Sequence, residues 1–234
     1  MANAAVLILS AVFLVWVDTS ARAGRHLSAV GQKSGPVQVV RVPTHLDAYR
    51  FLRDRGTRGV LLVQFDRFFS MVEYFPKTEA TSRPFPIEVY DVRPSYELAL
   101  DRQNWLFIAT RTGMVRAIIS VLPDTLFADR MTAFGQDPGY RITGETISGF
   151  SYDVPRVITT VQGLSLIEEP VIAMVSAGFF SDGADPEASA LSLLKRCPDL
   201  RALILVEGLD DEESNDADRE ALGRFSAFIA DGRT

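Results

Sequence analysis

Gly59-Val60-Leu61-Leu62-Val63-Gln64-Phe65-Asp66-Arg67-Phe68-Phe69-Ser70-Met71 is the stretch on which the fold turns. From Gly59 to Phe65 it is apolar at consecutive positions, with Gln64 as the exception. A strand with one wet face alternates apolar and polar residues. A run without alternation is buried on both faces, as in a parallel sheet covered by helices. Upstream, Val37 to Val42 has the same character. Between the two runs, Thr44 to Arg55 has helical spacing, with Leu46, Tyr49, Phe51 and Leu52 on one face. Thr44 and Asp47 are spaced as a capping box, and Gly56 ends the helix. Strand, helix and strand in this order make a parallel crossover unit.

The alternation continues downstream. A loop from Arg67 to Arg83 leads through Pro84 and Pro86 into a short strand, Ile87 to Val92. Tyr96 to Gly113 reads as mostly helical, and Ala117 to Leu122 as a strand closed by Pro123-Asp124. Residues 125–166 are the least regular part, with Gly135, Gly139, Gly144 and Gly149 and β-leaning runs at Tyr140 to Ile147 and Val157 to Val161. They predict a small hairpin excursion. Val171 to Val175 is a strand, and Asp185-Pro186 starts a helix running to Arg196. Ala202 to Val206 is a strand. The acidic run Asp210 to Glu213 reads as a solvated helix start before Ser214. The last helix carries Ala217, Ala221, Leu222, Phe225, Phe228 and Ile229 at helical spacing. These elements predict one α/β domain over residues 37–234, with a mostly parallel sheet covered on both faces.

Composition limits the function classes. The 234 residues are 47% hydrophobic, with a net charge of -6. That balance lacks the basic footprint of a nucleic-acid binder. The single cysteine, Cys197, excludes internal disulfides and paired-cysteine metal or redox motifs, and it reads as a packing residue. At the N-terminus, Ala4 to Val17 is apolar apart from Ser10, and Ala21-Arg22-Ala23 has the form of a signal-peptidase site. Residues 1–23 therefore read as a signal peptide or short anchor and 24–36 as a polar linker. The expected location is exported, periplasmic or secreted, or membrane-associated through residues 4–17. A cytoplasmic chain with an internal apolar element is the remaining reading. Met1-Ala2-Asn3 lacks the Lys or Arg common before a signal sequence.

Ligands of parallel sheets sit beyond the carboxyl ends of the strands. There the chain places His45, Asp66, Phe68, Ser70, Ser176, Gly178 and Asp182. No Walker A loop, dinucleotide fingerprint or G-x-S-x-G elbow is present.

In this order and with these flanks, Val39 to Met71 resembles the opening unit of the arginase/ureohydrolase-deacetylase superfamily. It is closest to a poorly characterised branch with a strand reading "LL-H-F-D-x-H-x-D-M". Asn104-Trp105-Leu106, Gly113-Met114-Val115 and Ser120-Val121-Leu122-Pro123 resemble that branch's "N-W-L … G-x-V … W-V-x-P". Pro170 to Ser181 is similar to its "P-V-I-L-S-I-D-L-D-F-F-S". The resemblance implies a three-layer α/β sandwich and divalent metals used to hydrolyse carbon-nitrogen bonds.

Carried over by position, the family's first His falls on His45. Its D-x-H-x-D falls on Asp66, Phe68 and Ser70, and its D-x-D on Ser176 and Gly178. Only His45 and Asp66 keep a ligand type, and the other histidine, His26, lies in the linker. Two divalent ions need several carboxylates and histidines. The expectation is therefore a degenerate, non-catalytic member without a cofactor. It would bind a protein or small-molecule partner in a remnant cleft, with Phe68 and Phe69 filling the vacated space. The alternative is a hydrolase with one Mn²⁺ or Zn²⁺, held by His45, Asp66 and a loop carboxylate such as Asp182.

Overall fold

The computed structural model describes residues 37–71, 100–209, 211 and 214–231. The proposed signal segment and linker, His26 and the strand expected at Ile87 to Val92 lie outside these residues.

The first unit is β1 (Gln38–Val42), α1 (His45–Asp54) and β2 (Val60–Phe65). Then come α2 (Trp105–Arg111), β3 (Val115–Val121) and α3 (Asp124–Phe134). Three short strands follow, β4 (Tyr140–Thr143), β5 (Thr146–Ser151) and β6 (Val154–Thr159). β7 (Val171–Ser176) runs into a 3₁₀ turn at Ala177–Phe180. The chain ends with α4 (Pro186–Arg196), β8 (Leu200–Val206) and α5 (Asp216–Asp231).

The eight strands among the described residues form one sheet, in the order β1-β8-β7-β2-β3-β6-β5-β4. From β1 to β6 every neighbouring pair is parallel, while β5 and β4 complete one edge antiparallel. β2 is central: Leu61 to Phe65 pair with Val171 to Val175 on one side and with Ala117 to Val121 on the other. Its unbroken apolar run follows from that position, since helices cover both faces. Leu61, Val63 and Phe65 point into a core shared with Leu193 of α4 and Leu222 and Phe225 of α5. Leu62 points into the opposite core, with Ala48 and Leu52 of α1 and Trp105 and Ile108 of α2. The α/β class and the three layers are as expected.

Local expectations fare unevenly. Thr44 caps α1 by accepting the Asp47 N–H, but the Asp47 carboxylate accepts the Thr44 hydroxyl at 2.7 Å instead of closing a box on the Thr44 backbone. Aspartate is one methylene shorter than the usual glutamate. The buried stripe of α1 is His45, Ala48, Tyr49 and Leu52, whereas Leu46 and Phe51 are half-buried. The helix expected from Tyr96 is α2 alone among the described residues, beginning at Trp105 after a turn at 102–104.

Residues 125–166 do contain the expected hairpin pairing, β4 with β5 and β5 with β6, but it extends the main sheet instead of standing apart from it. α3 and β4 to β6 belong to the main fold, and β6 pairs directly with β3. They enclose a satellite core of Leu122, Phe127, Ile147 and Ile158. The acidic run before α5 is not wholly solvated either, because Asp211 is buried. Asn215 caps α5 by accepting the Ala217 N–H at 2.8 Å, while Asp218 accepts the Asn215 N–H at 3.0 Å. Asp218 is thus buried near the helix start where Ala217 was expected, and Ala217 is exposed.

Candidate functional site

The chain leaves β2 toward β3 on one side, and leaves β7 toward β8 on the other. The carboxyl ends of β2 and β7 therefore flank a reversal of strand order, where open α/β sheets form a crevice. Asp66 follows β2, and Ser176 ends β7 in the neighbouring position.

His45 is the first residue of α1, and its position brings the imidazole over the end of β2. Its Nε2 lies 2.9 Å from Asp66 Oδ2, with both side chains fully buried. The carboxylate accepts, which assigns the proton to Nε2. Gln64 donates from its amide nitrogen to Asp66 Oδ2 at 3.0 Å, the Phe68 carbonyl at 3.2 Å and Ser70 Oγ at 3.2 Å. The Phe68 N–H donates to Asp66 Oδ1 at 3.2 Å. Asp66 thus accepts from a ring N–H, a side-chain amide and a backbone N–H. Ser70 has φ 53, and its carbonyl accepts the Leu106 and Phe107 N–H groups that open α2. Its left-handed backbone aims that carbonyl at otherwise orphaned helix donors.

The second strand end is built differently. A Cβ on Gly178 would lie 2.9 Å from Asp211 Oδ2 and 3.3 Å from Arg67 Cδ. Asp211 in turn accepts Arg102 Nη1 at 2.7 Å. Gly178 is therefore the gap through which a buried carboxylate and the stem of Arg67 approach β7. Phe68 and Phe69, expected to be packed into the end of the strand, are not deeply buried. Both are half-buried, with Arg102 4.7 Å and Arg67 5.6 Å from the Phe68 ring centre. The polar side chain that does fill the end of β2 is Gln64.

These residues do not fit a divalent metal. Three donors already occupy Asp66, one of them the Gln64 amide, and Phe68 has no side-chain lone pair. At the second strand end the Asp211 carboxylate is already paired with Arg102, and the stem of Arg67 packs beside Gly178. No group of three or more His, Cys, Asp or Glu among the described residues is placed to hold a metal ion. Asp182 is half-buried on the turn after Phe180, and no hydrogen bond joins it to His45 or Asp66. Asp185 caps α4 by accepting the Ala188 N–H at 2.9 Å.

No family model matches the chain, and no curated protein does. Among solved structures it is similar to an arginase from Medicago truncatula, at 11% sequence identity and a TM-score of 0.42. The match covers 84% of this chain, which spans 60% of the length of that arginase.

Two buried polar atoms at the strand ends lack a hydrogen-bond partner, Ser176 Oγ and Gln64 Oε1. Register places their residues on the same face of neighbouring strands, the one bearing Leu62 and Met174. Beneath the opposite face, Phe65 meets Phe179 edge-on at 5.4 Å between ring centres, with Phe225 at 6.4 Å. That aromatic floor fixes the level of the β2 end. Cys197 lies in the core on the floor's side, and burial pushes its thiol up to about 12, too high for a nucleophile at neutral pH. No described helix is long and apolar enough to cross a membrane.

Sequence reasoning missed three of the residues that shape the site. Gln64 carried a signal, as the one polar residue in a buried strand. Asp211 was read only as part of a solvated acidic run and Arg102 carried no signal, because their partnership spans 109 positions.

Proposed function

We propose that this chain is a non-catalytic binding domain, with the layout of a metal-dependent hydrolase and a hydrogen-bonded plug where the metals would sit. Binding of a small polar molecule or a partner's polar side chain occurs in the crevice between β2 and β7. The observation that carries this reading is the state of Asp66, buried and accepting from His45, Gln64 and the Phe68 N–H. A general base or metal ligand needs a lone pair facing the reactant. Here the lone pairs face the protein. The unpartnered Ser176 Oγ and Gln64 Oε1 supply the polar contacts, since buried polar atoms normally have a partner or an ordered water. The proposal includes export through residues 4–17, tested by fractionation and N-terminal sequencing of the mature chain.

Metal content tests it first. Protein purified without chelator, offered Mn²⁺ or Zn²⁺ and desalted, is expected to retain far less than one ion per chain. Near-stoichiometric metal, lost in a His45→Ala/Asp66→Ala double variant, would overturn the reading. It would favour a hydrolase of amide or guanidino bonds.

A further inference from the structure

A second polar feature lies two strands away, and nothing in the reading above uses it. Arg156 stands on β6 with only 3% of its surface exposed. Its Nε and Nη2 donate to Ser120 Oγ at 3.3 and 2.9 Å, and Nη2 also donates to the Phe69 carbonyl at 3.0 Å. Each of these acceptors is neutral. No carboxylate among the described residues pairs with Arg156, and its Nη1 makes no hydrogen bond there. Burial pushes the guanidinium down to about 10, with Tyr140 opposing and Arg130 adding to the fall, so it stays charged at neutral pH.

A buried charge surrounded by neutral groups is costly, and a countercharge removes most of that cost. A second cation packs against the same aromatic ring. Arg130 of α3 lies 4.6 Å from the Phe69 ring centre, and Arg156 lies 4.4 Å from the same centre. Arg130 is exposed, Phe69 and Tyr140 are half-buried, and Arg156 is deep. The cluster therefore runs from an open rim to a buried guanidinium.

We propose that Arg130 and Arg156, arranged about the Phe69 ring, form an oxyanion site that takes the carboxylate or phosphate group of a small molecule. The free Nη1 of Arg156 supplies the deep contact, and Arg130 the contact at the rim. Guanidinium groups suit both anions because their N–H fork matches paired oxygens. The proposal is independent of the crevice between β2 and β7, since it uses neither His45 nor Asp66.

The test is calorimetric titration and thermal unfolding of the full chain with inorganic phosphate or acetate, against chloride at equal ionic strength. Saturable binding and a rise in Tm are expected with at least one probe, and the probe that works identifies the anion class. Arg130→Gln, a surface change, is expected to weaken binding about tenfold, the loss of one charge-assisted hydrogen bond. Arg156→Lys keeps the charge but loses the fork, and should weaken it as well. Absence of saturable binding to either probe overturns the proposal. So does equal binding by wild type and Arg130→Gln, which would place the anion elsewhere. An Arg156→Met variant more stable than wild type, together with no anion effect on wild type, would make the buried charge a tolerated defect.

Discussion

Gln64, Phe65 and Asp66 are consecutive, yet they end in opposite chemistries. Phe65 turns to one side of the sheet and joins Phe179 and Phe225. Gln64 and Asp66 turn to the other side and close a network with His45, Ser70 and the Phe68 backbone. Both sides are fully buried. The apolar side is held by shape and by area removed from water, and loses stability in proportion to the volume deleted. The polar side is held by matched donors and acceptors, and loses stability in proportion to the groups left unmatched. A strand end can thus be held by hydrogen bonds as well as by rings.

The largest effect is expected on the apolar side. Phe65→Ala should destabilise by about 3–5 kcal/mol, the usual result for a fully buried aromatic, measured by urea unfolding. A loss below about 1.5 kcal/mol, the range of a volume-conserving swap, would mean that the floor collapses onto the gap and does not fix the strand end. Next comes Asp66→Asn, nearly identical in shape. The amide has one oxygen where the carboxylate had two, and its NH₂ must face the His45 Nε2–H, the Gln64 amide or the Phe68 N–H. A cost of about 1–3 kcal/mol is expected, the penalty of an unmatched buried donor. An unchanged midpoint would show that the network is looser than its geometry, and would reopen Asp66 to a ligand.

What could be read from sequence follows the same division. β2 was legible because burial on both faces leaves an unbroken apolar run, and the Asp185-Pro186 start of α4 was legible because a cap is a local matter. His45 and Asp66 were reached through strand ends and family spacing. Their mutual hydrogen bond was not, because it depends on how α1 crosses the sheet. Hydrophobicity ranks Leu46 and Phe51 above His45, yet His45 is the buried residue, because Asp66 satisfies it from 21 positions away. Asp211 hid within an acidic run and Arg156 within a β strand, each needing a neighbour that only the folded chain supplies. Residues 125–166 were opaque for another reason. α3 buries only Phe127, so its apolar spacing is weak.

Gly178 sharpens the comparison at the junction of the two sides. An added Cβ would meet Asp211 Oδ2 at 2.9 Å, and that oxygen cannot swing away freely because Arg102 holds the same carboxylate at 2.7 Å. Gly178→Ala is expected to cost about 1–3 kcal/mol, as for other overpacked sites. Pairing it with Asp211→Ala should recover part of that loss, because the clashing oxygen is gone. Simple additivity of the two changes would instead locate the strain in the 3₁₀ backbone.

The smallest effect tests the idea of matched partners most directly. Ser176 is as buried as Asp66, but its Oγ has no hydrogen-bond partner. Removing a partnered buried hydroxyl strands its partner, whereas removing an unpartnered one strands nothing and relieves the cost of its own desolvation. Ser176→Ala should therefore leave stability within about 0.5 kcal/mol of wild type, or raise it slightly. A loss above about 1 kcal/mol, the net worth of a typical hydrogen bond, would mean that an ordered water or a retained small molecule occupies the crevice in the purified protein. Mass spectrometry under native conditions would separate the two, because only a retained molecule adds mass that Ser176→Ala removes.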